Sequence, residues 1–178
     1  MADLIPHPDH PPGAVRSVSV HVGRLNHGYR LYYFLAGDID RIVVPQPARK
    51  PARTDELWRT TVFEAFVKGE GHARAAPYCE FNFAPSGDWA AYAFDHYRGG
   101  RRPTPTVIDI RTDRLDNLLT VEVHLHADFS KASRLGLSAV VEEKDGTKSY
   151  WALAHPPGKP DFHDDTCFAM RLADIARP

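Results

Sequence analysis

Apolar and polar residues alternate with a period of two through most of this 178-residue chain, in runs too short for helices. Val15–Val22 (VRSVSVHV) is the cleanest run, and Tyr29–Ala36 (YRLYYFLA) follows it with more aromatic content. Such alternation puts one set of side chains on a buried sheet face and the other toward water. After a Gly37-Asp38 turn, Arg41–Val44 reads as a short strand. Leu57–Val67, Tyr78–Ala84 and Trp89–Asp95 come next, with Pro85-Ser86-Gly87 turning between the last two. Val107–Arg111, Leu118–Ala127, Leu137–Glu143 and Ser149–Ala154 continue the series, Asp145-Gly146 is a hairpin turn, and Cys167–Leu172 closes the set. Only Asp128–Arg134 suggests a turn of helix. The pattern predicts an all-β fold: a single antiparallel β-sandwich or jelly roll of about ten strands with little helix. Residues 1–14, with four prolines, are expected to form a flexible N-terminal arm, and residues 15–178 the folded domain. Pro45–Arg53 and Arg98–Pro105 read as loops.

Composition narrows the function classes. Lys plus Arg (22) nearly cancels Asp plus Glu (23), which leaves no electrostatic footprint for nucleic acid. No segment approaches the roughly 20 apolar residues of a membrane-spanning helix. The start MADLIPHPDHPPG lacks the basic and apolar regions of a secretory signal, so a cytoplasmic location is expected. Cys79 and Cys167 fit a reducing compartment and read as small core residues.

Two of the strands carry polar residues where aliphatics are expected. Glu64 lies inside VFEAFV, and Glu80 and Asn82 lie inside YCEFNF. Carboxylates in a sheet are costly to bury unless they are hydrogen-bonded, so a polar row points to a surface that meets a ligand. The chain is also rich in flat side chains, including Trp58, Trp89, Trp151, Tyr92 and Tyr150. Rings that stack on a sugar's apolar face, beside acids and amides that take its hydroxyls, suit a carbohydrate. Trp58 is the best contact, because it precedes Glu64 at a strand start instead of alternating with aliphatics. Trp58, Glu64, Glu80, Asn82 and Trp151 are therefore the expected ligand-binding residues of a non-catalytic domain.

Other chemistries are open at this stage. Glu64 and Glu80 invite comparison with the paired carboxylates of glycosidases. An enzyme needs a perturbed acid in a pocket, whereas a binder can leave Glu64 near its ordinary pKa. His124 and His126 alternate with Val123 and Leu125, and Glu122 beside them could complete a metal set; the plainer reading is a solvated strand face. In His155–Asp165, Asp161, His163, Asp164 and Asp165 are hard or borderline metal ligands close in sequence, the aspartates with oxygens of the kind calcium takes, against the plainer reading of a surface loop. Exposed aromatics could also form a patch for a protein partner. There is no nucleophile elbow, phosphate loop, His-Glu-x-x-His or Cys-x-x-Cys.

Several of these residues stand in an order that resembles a known family. Trp58, Glu64, the stretch Tyr78, Glu80, Phe81, Asn82, Pro85, Ser86, Gly87 and Trp89, and then SYWALAHPPGKPDFHDDTCF are similar to stand-alone bacterial DOMON-like domains related to carbohydrate-binding module family 9. The likeness spans roughly Val15 to Leu172. It implies a β-sandwich that holds a sugar between two tryptophans, with acids and amides on the hydroxyls. On that resemblance Trp58 is the first stacking tryptophan, Glu64 the acid after it, and Trp151 the second tryptophan. Other DOMON domains bind haem through Met and His, which here implies Met170 with His124 or His163.

Overall fold

A computed structural model describes residues 1–69, 76–127 and 129–175. Twelve strands are found among them: β1 (Ala2–Pro6), β2 (Val15–Leu25), β3 (Gly28–Gly37), β4 (Val62–Gly69), β5 (Tyr78–Phe83), β6 (Trp89–Phe94), β7 (Arg102–Pro103), β8 (Val107–Leu115), β9 (Leu118–His126), β10 (Ala132–Glu142), β11 (Lys148–Ala152) and β12 (Met170–Arg171). Short 3-10 turns at Ile39–Arg41, Leu57–Arg59, Asp165–Cys167 and Leu172–Asp174 are the helical content of these residues. None is long and apolar enough to cross a membrane.

The strands run β7-β6-β5-β4-β10-β11-β1-β2-β3-β9-β8, every neighbouring pair antiparallel, with β12 added beside β10. The all-β antiparallel class expected from the alternation is what the chain adopts. Its architecture is one curled sheet, a half-barrel. Residues 1–14, expected as an arm, include the strand that makes the sheet continuous. β1 pairs through Ala2, Asp3 and Leu4 with β2, and through Ile5 and Pro6 with β11. Leu4 is buried in the core, and His7 just beyond the strand is buried as well.

Curling brings the inner faces of the two halves together. Val18, Val20, Leu31, Tyr33 and Leu35 from β2 and β3 join Phe63, Ala65, Phe81, Leu137 and Val141 from β4, β5 and β10 in one apolar cluster. Tyr33 and Phe63 place their ring centroids 4.9 Å apart. The Tyr33 hydroxyl donates to the Glu64 carbonyl at 2.8 Å. Each fully buried Phe, Leu or Val contributes about 1.5–3 kcal/mol over leaving it in water, so this cluster supplies the main driving force.

Strands β4 and β5 are buried on both faces. Their odd-numbered residues enter the inner core. The even-numbered ones face outward with Tyr92 and Phe94 of β6, Val140 of β10 and Ala152 of β11, under Phe162 and Phe168 from the C-terminal segment. That second cluster explains why the polar row lies inside protein. Glu64, Lys68, Glu80, Asn82 and Ser138 are on this outer face, and all are buried.

Local differences from the sequence expectations have local causes. Leu57–Arg59 is a 3-10 turn whose preceding residue, Glu56, sits at φ 62°, so the strand starts only at Val62. Arg41–Val44 supplies a single bridge, Ile42 to Glu143, instead of a strand. Asp128 lies outside the described residues, and Ala132–Arg134 already belong to β10 rather than to a helical turn. Both cysteines are free.

Candidate functional site

A cavity of about 550 Å³ opens on the outer face of the β6-β5-β4-β10-β11 half. Its floor is the sheet itself: Glu64 and Phe66 of β4, Glu80 of β5, Phe94 of β6, Val140 of β10 and Tyr150 of β11. Three connections raise the walls. The 3-10 turn before β4 contributes Trp58 and Arg59, the loop after β6 contributes Arg98 and Arg101, and the loop after β11 contributes Pro160, Phe162 and His163. Lys148, at the start of β11, completes the rim. The mix of aromatic walls and a few convergent polar groups is the usual make-up of a small-molecule site.

Strand register sets the floor. Glu64 pairs across β4 and β5 with Asn82, and across β4 and β10 with Ser138. Glu80 sits one step along, opposite Phe66 and Tyr92. The two carboxyls are thus diagonal neighbours on one face, a separation at which charges feel each other. Glu64 takes a 3.0 Å hydrogen bond from the Ser138 hydroxyl. Glu80 takes one at 2.7 Å from the Asn82 amide, whose own oxygen is buried without a partner among the described residues.

Burial and the neighbouring Glu80 charge push the Glu64 carboxyl up to about 8, and the Ser138 hydrogen bond only partly opposes this. Glu64 is therefore largely a neutral acid at pH 7. Burial raises Glu80 too, against the Asn82 hydrogen bond and the Arg101 and Arg98 charges. On the wall, burial holds His163 down to about 4, helped by Arg98 and opposed by Asp161. The 3.7 Å approach of its Nε2 to Glu80 is accordingly not an ion pair at neutral pH.

A hydrogen-bond chain orients that imidazole. The Tyr78 hydroxyl accepts the Arg98 backbone N–H at 3.1 Å and lies 2.7 Å from His163 Nδ1. Burial keeps the Tyr78 phenol protonated, near 12. With the phenol as donor to Nδ1, the neutral imidazole carries its proton on Nε2, the side facing Glu80. Phe66, Tyr78 and Phe94 each meet the imidazole edge to face. Below it, burial alone would raise Asp161, but hydrogen bonds from Tyr97 and Arg98 hold that carboxyl low.

The cavity gathers Trp58, Glu64 and Glu80, with Asn82 directly behind Glu80. Trp151 is placed elsewhere: it is 3% exposed, packs in the inner core and donates its Nε1–H to Ser149 at 3.0 Å. Its strand position points it inward, so Tyr150 lines the pocket in its stead. His124 and His126 alternate outward on β9, away from this cavity, where His124 meets Glu122 at 3.0 Å. Among the described residues no group of three or more His, Cys, Asp or Glu is arranged to hold a metal ion. Met170 packs against the inner core and does not line the pocket that His163 faces.

The sequence reading missed Arg59, Arg98, Arg101 and Lys148, and placed His163 only as a metal ligand. Arg101-Arg102 gave the one available signal, an adjacent cationic pair, which by itself is indistinguishable from a solvated loop.

No family model matches the chain, and no curated protein is significantly similar to it.

Proposed function

We propose that this chain is a non-catalytic binding domain for a small saccharide or sugar derivative, which enters the outer-face pocket and stacks on Trp58. The observation that carries this reading is one cavity with Trp58, 43% exposed, at its mouth and the Glu64–Glu80 pair on its floor. A large aromatic left in water at the entrance of an aromatic-walled pocket is a ready stacking surface. Carboxyls and the His163 Nε2–H supply both acceptors and donors for hydroxyls. The resemblance to DOMON-like domains related to carbohydrate-binding module family 9, with the two halves of the curled sheet taken as a sandwich, supports the same ligand class. In this reading Tyr150 and Phe162, which line the cavity, take the role of the second stacking surface in place of the buried Trp151.

The test is a thermal-shift panel of mono- and oligosaccharides on the full chain. A sugar at a hundredfold excess over its Kd adds about 2.7 kcal/mol to stability, an easily seen rise in Tm. The rise is expected for one sugar class and absent in Trp58→Ala.

The raised Glu64 supports a second reading, glycoside hydrolysis, because a carboxylic acid held near 8 is suited to general-acid work. Hydrolysis also needs a partner carboxylate that stays ionised. Here burial moves both carboxyls the same way instead of apart, which favours binding. Turnover of aryl glycosides that falls about a hundredfold or more in both Glu64→Gln and Glu80→Gln would establish the enzyme.

A further inference from the structure

Four cations rim the pocket, and they come from three separate segments: Arg59, Arg98, Arg101 and Lys148. Like charges gathered at one opening repel unless something offsets them. Three have acids nearby: Glu56 lies 3.0 Å from Arg59, Asp161 is 2.8 Å from Arg98, and Glu142 is 3.7 Å from Lys148. None of those acids lines the cavity. Arg101 makes no ion pair among the described residues and instead lies 4.9 Å from the centroid of the Tyr92 ring. The rim is also pre-positioned. Arg59 rests over Trp58 at 5.5 Å, and the Lys148 ammonium donates to the Arg59 carbonyl.

On the cavity wall four cations thus face two carboxyls, and the deeper of these, Glu64, is mostly uncharged at neutral pH. The cationic side chains on the lining therefore outnumber its carboxyls, and their partner acids Glu56, Asp161 and Glu142 stand outside it. A neutral sugar makes no use of those charges. Guanidiniums grouped around an opening are matched to planar or tetrahedral oxyanions.

We propose that the pocket's ligand is an anionic saccharide, one whose phosphate or carboxylate is held at the mouth by Arg101 together with Arg59, Arg98 and Lys148, while the sugar ring lies inside. This rests on the saccharide reading above and specifies its substrate class.

Isothermal titration of the full chain at pH 7 and low ionic strength tests it with matched pairs: glucose, glucose 6-phosphate and glucuronate, and the same three forms of galactose and mannose. At least one charged form is expected to bind tenfold or more tighter than its neutral parent, with that advantage collapsing at about 0.5 M NaCl. Arg101→Gln, at an exposed position that tolerates the change, is expected to bring the charged form down toward its parent. Arg114→Gln, on β8 and outside the pocket, controls for long-range charge and is expected to change neither. Comparison of phosphate and carboxylate forms assigns the anion. A neutral parent that binds as tightly as its charged forms overturns this inference and leaves the saccharide reading standing. No binding by any of the nine sugars overturns both.

Discussion

Two buried glutamates show how much local hydrogen bonding decides. Glu143 is 1% exposed, yet its Oε1 accepts the backbone N–H groups of Gly13 and Ala14, each at 2.7 Å, and Arg41 lies at 3.4 Å. Those contacts satisfy the buried side chain and tie β2's start to the β10–β11 turn. Glu64 is 3% exposed and receives one hydroxyl hydrogen bond among the described residues, so burial wins and the proton stays. A structural acid and a site acid are thus told apart by their donors, not by their exposure. Trp58 differs from both: it is 43% exposed and outside both core clusters, so it adds less to folding than a core tryptophan. Trp58→Ala is expected to weaken saccharide binding about tenfold or more, a change of about 1.4 kcal/mol, with Tm almost unmoved. Calorimetry and a melting curve on the same sample check both halves of that statement.

At the scale of elements, hairpin geometry supplies a sharp contrast. Gly28 opens β3 at φ +125°, and a Cβ there would sit 2.0 Å from the Leu125 carbonyl oxygen of β9. Gly146, in the β10–β11 turn, is at φ +91° with nothing within 4 Å of a Cβ. Gly146→Ala is expected to cost about 1 kcal/mol of backbone strain. Gly28→Ala adds a backbone clash and is expected to cost at least twice that, read as a shift in urea midpoint. β1 makes a parallel case. Leu4→Ala removes a buried side chain from the strand that joins the two halves and is expected to cost about 2–5 kcal/mol.

Strand existence was legible because alternation is a local signal; β2, β3, β5, β6 and β9 fall where Val15–Val22 and its successors place them. The polar row of Glu64, Glu80 and Asn82 was legible for the same reason, as a break in that alternation. What sequence could not show was set by long-range pairing. Pro-rich residues 1–14 read as loose until β11 and β2 supply partners for Ala2–Pro6. Trp151 and Tyr150 are adjacent, and only the curl of the sheet says which of them faces the core and which the pocket. Arg98, Arg101 and Lys148 are distant in sequence from Trp58 and meet it only through loop packing.

For the whole molecule, the buried titratable groups predict how stability follows pH. Glu64 keeps its proton in the fold up to about 8, while the unfolded chain gives it up near 4.5. Its contribution is therefore fully present below about pH 4.5 and is lost as pH rises toward 8. His163 acts in the opposite sense. The fold holds it neutral down to about 4 while the unfolded chain protonates near 6.5, so its contribution is present above 6.5 and is lost as pH falls toward 4. Between about 4.5 and 6.5 the Glu64 and His163 trends oppose each other; above about 6.5 the Glu64 loss is no longer opposed by His163, and Glu80, raised by the same burial, acts in the same direction as Glu64. Denaturant unfolding is expected to give a plateau and then a decline of up to about 1.4 kcal/mol per pH unit. Glu64→Gln is expected to make that decline shallower while leaving the acid limb, and His163→Gln to make the acid limb shallower, with the lowered His155 and Asp161 still contributing to it.

The central claim is that a saccharide occupies the outer-face pocket against Trp58, and tryptophan fluorescence reads that contact directly. Trp58 is the exposed indole, whereas Trp89 and Trp151 pack against or within the inner core. A sugar titration of the wild-type chain, repeated with Trp58→Phe, is the measurement to make. A saturable spectral change in the wild type that disappears in Trp58→Phe is the predicted result. A saturable change that survives the substitution would place the ligand elsewhere and contradict the account.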